Sequence, residues 1–246
     1  MYCSANSGLN DRQLTGRDEG HLLGLVDGLC LQQDAADAFI ALQADAARAG
    51  FELKIASGFR SFERQLAIWN DKAAGRRAVH DDRGRAVEIG DLEPEQQLHA
   101  ILRYTALPGA SRHHWGTDID VYDAAALAEG GVVELVPEEV GAGGVFDPLH
   151  CWLDKQMASD QSRGFFRPYY RDTGGVAVER WHLSFAPLAR LCEKQIGPYL
   201  LRRSWEDIPQ GQSLALAEQV HGLLDELCQR YVFTGDDWCS TSASGL

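Results

Sequence analysis

Three short clusters of chemically active side chains, far apart along the chain, place the strongest constraint on its fold. They are Ser57-Gly58-Phe59-Arg60-Ser61, the stretch from Ser111 to Asp120, and Glu179-Arg180-Trp181-His182. The second and third clusters contain histidines and carboxylates, the side chains that hold zinc in hydrolytic enzymes. Such a site needs three protein ligands, an open position for water and a base beside that water. A fold that uses this chemistry must therefore bring the distant clusters together.

The spacing of these residues predicts how they meet. His113 and Asp120 are seven residues apart, so on one straight strand their side chains would point to opposite faces. Gly116 lies between them and is predicted to turn the chain, which places both on one side. His182, on a separate predicted strand, would be the third ligand. Glu179, three residues before it, could reach the water as a general base.

The residues alone leave alternatives at both ligand positions. His114 could replace His113, and either Asp118 or Asp123 could replace Asp120. A single histidine is more often a satisfied structural side chain than a metal ligand. The choice therefore needs more than composition.

Arg60 offers a positive charge at a predicted strand-to-helix corner, where a side chain is exposed but rigidly held. A planar guanidinium binds a carboxylate through two hydrogen bonds, so Arg60 could act on a substrate. The alternative is a salt bridge that caps the helix beginning at Ser61.

Composition excludes some classes of partner and leaves a soluble globular chain as the expectation. The 246 residues are 45% apolar and carry a formal net charge of −13, without a basic patch that would bind nucleic acid. No apolar run reaches the ~18 residues of a membrane span. Residues 1–16 lack the pattern of an export signal, which predicts a cytoplasmic location, or a periplasmic one if the true N-terminus is longer. The six cysteines contain no CxxC pair, which favours buried free thiols over a thiolate zinc site.

Periodicity and turn signals predict alternating helices and strands. The predicted strands are residues 51–56, 116–122, 132–136 and 181–185, with a hairpin or surface loop across 76–92. The predicted helices are 34–49, one from Ser61, 94–107, one from Pro148 towards Arg163, 188–201 and 213–231.

These elements predict an α+β fold in which a small central antiparallel sheet carries the zinc site and helices surround it. We predict an N-terminal segment (1–33), a core that carries the three clusters (34–187) and a helical C-terminal extension packed on the core (188–246). A mobile tail is expected from about residue 240.

The three clusters resemble the D-alanyl-D-alanine carboxypeptidase family of zinc peptidases, and its VanY-type branch in particular. The family pattern S-x-H-x-x-G-x-A-x-D matches Ser111, His113, Gly116 and Asp120. The pattern E-x-W-H matches Glu179, Trp181 and His182. The pattern S-G-Y-R-S-x-x-x-Q matches Ser57, Gly58, Arg60, Ser61 and Gln65. The similarity runs from about residue 34 to 187.

The resemblance implies a role for each matched side chain. It implies one zinc ion per chain, held by His113, Asp120 and His182, with Glu179 as the general base. It further implies that Arg60 receives the terminal carboxylate of the substrate, with Gln65 and Ser111 as neighbouring polar contacts.

Two positions depart from the family patterns. Asp118 stands where alanine is usual, and Phe59 stands where tyrosine is usual. Phe59 lacks only a hydroxyl, so the chemistry should persist. Asp118 places a second carboxylate two residues from a ligand, and we expect it to hydrogen-bond a ligand or to face solvent rather than bind metal.

The function that the resemblance implies is zinc-dependent removal of a terminal D-alanine from a peptidoglycan-type peptide, with Glu179 activating a zinc-bound water. One alternative is a cell-wall endopeptidase of the same fold, which Arg60 argues against because an internal bond offers no carboxylate. The other is a zinc-binding module without catalysis, which the base Glu179 argues against because a structural zinc takes a fourth protein ligand.

Overall fold

The computed structural model of the chain describes residues 8–24, 29–82 and 84–234. The strands in this part of the chain are β1 (Leu23–Gly24), β2 (Cys30–Leu31), β3 (Leu53–Ser57), β4 (Val79–His80), β5 (Ala86–Val87), β6 (Asp118–Asp123), β7 (Phe165–Phe166) and β8 (His182–Phe185). The helices are α1 (Asp11–Leu14), α2 (Gln33–Arg48), α3 (Phe62–Ala73), α4 (Pro94–Leu102), α5 (Pro137–Val140), α6 (Asp147–Ala158), α7 (Ala186–Glu193), α8 (Pro198–Glu206) and α9 (Ala217–Leu227). Cys3, Arg83, Cys239 and the predicted mobile tail lie outside the described residues.

The central element is a four-stranded antiparallel sheet with the strand order β3-β6-β8-β7. β6 is flanked by strands on both sides. Its residue Asp120 is paired with His182 of β8 on one side and with Ser57 of β3 on the other. This sheet, surrounded by helices, confirms the predicted fold class. It also joins all three clusters, since Ser57 leads directly into Arg60.

The two faces of the sheet have different chemistry because side chains alternate along a strand. Ile119 and Val121 of β6 pack with Leu183 of β8 in an apolar core. Helices α2 and α6 cover that face through Ala35, Phe39, Leu42, Leu149 and Leu153. The opposite face carries Asp118 and Asp120, as the alternation predicts.

A second apolar core joins α3 and α4 to the C-terminal helices. It contains Phe62, Leu66, Trp69, Leu98 and Ile101 together with Leu201, Val220, Leu224 and Leu227. The chain after residue 187 therefore packs on the helices that follow the first cluster, while the domain boundary at 187 stays a prediction. Among the described residues, no helix combines the length and apolar content that a membrane span requires.

The structure corrects several predicted elements. Residues 132–136 do not form a strand, because the backbone N–H groups of Glu134 and Leu135 donate to the carboxylate of Glu139 instead of a neighbouring strand. The helix predicted to reach 107 ends at Leu102. The helix from Pro148 ends at Ala158, before the short strand β7.

The helix predicted over 188–201 is in fact two helices, α7 and α8. Pro198 is the first residue of α8, and Gly197 before it is fully extended, because a residue that precedes proline is disfavoured in the helical region. The cysteine prediction is also only partly right. Cys192 and Cys228 are buried, but Cys151 is exposed.

Candidate metal centre

The three predicted ligands converge on one point. Ligand atoms of His113, Asp120 and His182 all lie within 4.8 Å of one another, and all three residues are buried. The register of β6 and β8 places Asp120 opposite His182, where side chains on one face are neighbours. His113 lies in a short 3-10 turn that ends at Gly116, whose φ of 68° is readily adopted by glycine. The turn at Gly116 is therefore where the sequence predicted it.

Each imidazole is held so that one ring nitrogen faces the other ligands. Nδ1 of His113 is 2.9 Å from the carbonyl oxygen of Gly58, which can only accept, so Nδ1 carries the proton and Nε2 is free. Nε2 of His113 lies 3.4 Å from Oδ2 of Asp120. His182 is held the other way round, since its Nε2 is 2.9 Å from Oδ1 of Asp118 and its Nδ1 is 3.4 Å from Oδ1 of Asp120.

The donor set fits a divalent cation. Oδ1 of Asp120 is buried and has no hydrogen-bond partner among the described residues, as a carboxylate oxygen reserved for a metal would be. Burial alone would raise the pKa of Asp120, but His113 and His182 hold it below its ordinary value. Burial alone would lower the pKa of His182, yet Asp118, Glu179 and Asp120 raise it to about 9. Three carboxylates thus surround His182, and together they favour a positive charge at the point where the three predicted ligands converge.

Asp118 lies behind His182 and is fully buried, so the expectation that it might face solvent is wrong and the alternative of a hydrogen bond to a ligand is right. Its Oδ1 also accepts from Nε of Arg112 at 2.9 Å, and its Oδ2 accepts from the hydroxyl of Thr117 at 2.6 Å. Burial alone would raise the pKa of Asp118, but the charge of Arg112 and the hydrogen bonds from His182 and Thr117 together hold it well below its usual range. Asp118 is therefore an ionised carboxylate that orients His182.

Arg112 continues this network away from the metal centre. Its guanidinium donates to the hydroxyl of Ser184 at 2.9 Å and to Oε2 of Glu193 at 2.6 Å. Glu193 lies on α7 and also accepts from the backbone N–H of Thr234 at 2.8 Å. A chain of charged hydrogen bonds thus runs from His182 into the C-terminal helices. The sequence pattern did not reveal these partners.

The alternative ligands have other roles. Nδ1 of His114 donates to the carbonyl oxygen of Arg60 at 2.6 Å, and its Nε2 accepts from the backbone N–H of Gly109 at 3.1 Å. Burial lowers the pKa of His114 to about 3, so this ring is neutral and both nitrogens are occupied. Asp123 accepts from the backbone N–H groups of Glu52 and Ala125 at the far end of β6. Neither belongs to the converging set.

Glu179 lies beside the converging ligands. Its Oε2 is 3.5 Å from Nδ1 of His182, the ring nitrogen that faces Asp120. Glu179 as a whole is only 9% exposed. The backbone N–H of Glu179 donates to the carbonyl oxygen of Tyr169, and the carbonyl of Glu179 accepts from the N–H of His182. The carboxylate is thus fixed at the wall of the site, where Trp181 is also part of the cavity lining.

Arg60 reaches the same site from the corner between β3 and α3. Its guanidinium donates to Oε1 of Gln65 at 2.9 Å and to the hydroxyl of Ser57 at 3.3 Å. The hydroxyl of Ser61 caps α3 by accepting from the N–H of Arg64, so the helix cap does not depend on Arg60. Burial lowers the pKa of Arg60, although its charge persists at neutral pH.

The two remaining predicted substrate contacts differ in position. Ser111 lies on the cavity wall next to the ligands. Gln65 is fully buried, and both ends of its amide are used, because Oε1 accepts from Arg60 and Nε2 donates to the carbonyl oxygen of Ala106 at 2.7 Å. Gln65 therefore sits behind Arg60 and fixes the direction of the guanidinium.

One cavity of about 330 Å³ connects the predicted site residues, with the exception of Gln65, which lies behind Arg60. Its wall includes the three converging ligands, Glu179, Arg60 and Ser111. It also includes Lys72, Arg77, Tyr104, Thr105 and Tyr169, which sequence analysis did not select. Lys72 had a detectable signal, since it lies seven residues after Gln65 and hence on the same face of α3.

Comparison with known proteins gives this geometry a family. The VanY family, described as D-alanyl-D-alanine carboxypeptidase, matches residues 28–188. An uncharacterized protein of Haemophilus influenzae is 47% identical over 103 residues, which cover 40% of this chain and 70% of the relative. A second uncharacterized protein of the same organism is 30% identical over 128 residues, or 51% of this chain and 92% of the relative.

Among solved structures, VanYB in complex with D-alanine-D-alanine has a similar fold. The two chains superpose with a TM-score of 0.50 at 19% sequence identity, covering 81% of this chain and 87% of VanYB. The family match spans the sheet, the converging ligands, Glu179 and Arg60. The chain therefore belongs to the VanY family of D-alanyl-D-alanine carboxypeptidases and is a carboxypeptidase-like hydrolase.

Proposed function

We propose that this chain is a zinc-dependent carboxypeptidase that removes a terminal D-alanine from a peptidoglycan-type peptide. Family membership supports the reaction class, and the fold relative VanYB binds D-alanine-D-alanine, a ligand of the proposed type. His113, Asp120 and His182 would hold one zinc ion, since two imidazoles and a carboxylate are preferred zinc ligands. Zinc in this position supplies Lewis-acid polarisation of the scissile carbonyl and lowers the pKa of bound water.

Glu179 and Arg60 divide the remaining work. Glu179 accepts the proton of the attacking water and then delivers it to the leaving amine, a role that requires a carboxylate within hydrogen-bond reach of the reacting atoms. Arg60 binds the terminal carboxylate of the substrate, and Gln65 and Ser57 hold its guanidinium in place. Ser111 on the cavity wall is the proposed polar contact to the peptide itself.

The arrangement of charges in one cavity is the observation that carries the proposal. A carboxylate base lies next to the three converging ligands, and a guanidinium with neutral partners lines the same cavity. A metal site that only stabilised the fold would need a fourth protein ligand and no base. An endopeptidase would have no use for an arginine that receives a free carboxylate.

The direct test is hydrolysis of a defined peptide that ends in D-alanyl-D-alanine, with the products weighed by mass spectrometry. The zinc-loaded protein should release single D-alanine, and a chelator should abolish the release. Glu179→Gln should retain zinc and lose roughly 10²–10⁴-fold in kcat, the usual contribution of a general base. Glu218→Gln, at an exposed carboxylate on α9, is the matched control and should leave the rate unchanged.

The same experiment separates the alternatives. Larger fragments in place of single D-alanine would indicate an endopeptidase. Zinc binding without turnover of any D-amino-acid peptide would indicate a binding module. A peptide with an amidated C-terminus should be a poor substrate, because it lacks the charge that Arg60 binds. Equal turnover of the acid and the amide would contradict the proposed role of Arg60 in binding the terminal carboxylate.

A further inference from the structure

The cavity continues past Arg60 along helix α3 to a second positive charge. Gln65 and Lys72 lie on the same face of α3, and both bond to one adjoining segment of the chain. Nε2 of Gln65 donates to the carbonyl oxygen of Ala106, and Nζ of Lys72 donates to the hydroxyl of Thr105 at 2.6 Å. Since Gln65 also holds Arg60, the guanidinium and the ammonium flank the same stretch of the cavity wall.

Among the described residues, these cations have no carboxylate partner. Arg60 donates to the neutral side chains of Gln65 and Ser57, and Lys72 donates to the neutral hydroxyl of Thr105. Within residues 8–24, 29–82 and 84–234, no carboxylate lies within ion-pair distance of either group. Arg77, at the exposed rim of the cavity, adds a third positive charge.

The surrounding charge explains why an anion would bind here. Burial lowers the pKa of Lys72 to about 8, and the charges of Arg77 and Arg60 act in the same direction while Glu179 opposes them. The ammonium is therefore still mostly protonated at pH 7. Partial burial of a charge without an opposite charge is unfavourable, so a ligand carboxylate would relieve it.

We propose that Lys72, with Arg77 at the rim, forms a second anion subsite that binds a carboxylate of the peptide substrate other than its C-terminal one. The inference rests on the proposed function and extends it, because it defines the substrate as a peptide with two carboxylates near its end. Arg60 takes the terminal carboxylate. Lys72 bonds to Thr105 and Gln65 to the adjacent Ala106, so the second carboxylate lies close to the terminal one. Since the side chain of D-alanine has no carboxylate, the second one belongs to the residue before the terminal D-alanine.

A purely structural role for Lys72 predicts something different. Lys72 lies in the last turn of α3, where a cation stabilises the helix end, and its bond to Thr105 ties α3 to the segment after α4. Loss of that role would lower the free energy of unfolding. It would not change the preference between an acidic peptide and its amide isostere. Selectivity is therefore the informative readout.

The test uses a pair of acetylated dipeptides that differ by one carboxylate, acetyl-D-Glu-D-Ala and acetyl-D-Gln-D-Ala. Binding to zinc-loaded Glu179→Gln protein is measured by titration calorimetry at pH 7, so that no peptide is hydrolysed. We expect the acid to bind roughly 10-fold more tightly than the amide, as for a hydrogen bond to a charged group.

Lys72→Gln in the same background removes the charge and keeps a donor for Thr105, and it should reduce that preference to about twofold or less. Lys155→Met, at an exposed lysine on α6, changes the net charge equally and should keep the preference. Equal binding of acid and amide, no binding of either peptide, or a preference that survives Lys72→Gln would overturn the subsite. Turnover of acetyl-D-Ala-D-Ala by the native protein tests the proposed function separately.

Discussion

The two histidines of the candidate metal centre are held by different parts of the molecule and by different forces. On one side, His113 is oriented by a backbone carbonyl, that of Gly58 at the end of β3. On the other side, His182 is oriented by the buried carboxylate of Asp118, which is bonded to Arg112. The hydrogen bond from His113 to the carbonyl of Gly58 does not depend on any side chain of the partner, so substitutions that leave the backbone in place should not remove it. The second depends on the identity of several side chains.

The side-chain support also reaches beyond the part of the chain that the family shares. Arg112 is bonded to Glu193, and Glu193 is bonded to Thr234, whereas the family match ends at residue 188. Asp118 itself replaces the alanine of the family pattern. One support is thus a single backbone carbonyl, and the other is a network of side chains in which helix α7, beyond the family match, takes part. Substitutions on the two sides should therefore have unequal effects.

The largest effect is expected from Asp118→Asn. Loss of the carboxylate frees His182 to rotate and should weaken zinc binding about 10–100-fold. It also leaves the buried guanidinium of Arg112 with one charged partner fewer, which should lower the free energy of unfolding by about 3–5 kcal/mol. Competition with a chelator measures the first quantity, and urea unfolding measures the second.

Asp123→Asn provides the matched control. Asp123 is a buried carboxylate on the same strand, but its hydrogen bonds go to backbone N–H groups away from the ligands. Its substitution should lower stability without changing zinc affinity. If both variants bound zinc equally well, the orientation of His182 would not depend on Asp118.

Glu193→Gln should have the next largest effect. Arg112 and the backbone N–H of Thr234 bond to different oxygens of Glu193, so the amide keeps an acceptor for only one of them and removes the charge that pairs with the guanidinium. We expect a loss of about 1–3 kcal/mol in the free energy of unfolding, as for a hydrogen bond to a charged group. Because Glu193 acts through Arg112 and Asp118, zinc affinity should fall less than in Asp118→Asn. Glu226→Gln, at an exposed position on α9, should change neither quantity, and an equal effect of both variants would contradict the network.

The parts of the site that the sequence predicted are those set by local geometry. The seven-residue spacing of His113 and Asp120 requires a turn, and Gly116 is the residue that allows it. Alternation along β6 predicts that Asp118 and Asp120 share a face, and the structure confirms it. The cap at Ser61 and the buried face of α3 follow from helical periodicity in the same way.

The parts that could not be predicted depend on tertiary contacts. Arg112 bonds to Glu193, which lies 81 residues further along the chain, and Lys72 bonds to Thr105, which lies 33 residues further along. Sequence separations of this size leave no periodic signal. The backbone N–H groups of residues 134–136 donate to the side chain of Glu139. This strand-like apolar run is therefore a loop. The break at Gly197-Pro198 is different, because the proline that begins α8 is visible in the sequence itself.

Thr117→Val should sharpen the comparison with a smaller effect. The hydroxyl of Thr117 donates to Oδ2 of Asp118, while Arg112 and His182 share Oδ1. Loss of one buried hydrogen bond should cost about 1–3 kcal/mol of stability. Zinc affinity should change by less than about threefold, because Oδ1 of Asp118, the oxygen that faces His182, still accepts from Arg112. Thr117→Ser retains the hydroxyl and should preserve the free energy of unfolding better than Thr117→Val does. If the two variants were equally unstable, the methyl group of Thr117 would be the important one and not its hydroxyl.

The smallest effect is expected on the backbone side, from Gly58→Ala. A Cβ at this position would be 3.6 Å from its nearest atom, the carbonyl oxygen of Cys30, which is an ordinary contact. Gly58 is not among the described glycines with positive φ, so alanine can adopt its conformation, and the carbonyl that holds His113 remains. Zinc affinity, measured by the same chelator competition, should stay within about twofold of the native value. A tenfold loss would mean that His113 is as sensitive to side chains as His182, and the difference between the two supports would disappear.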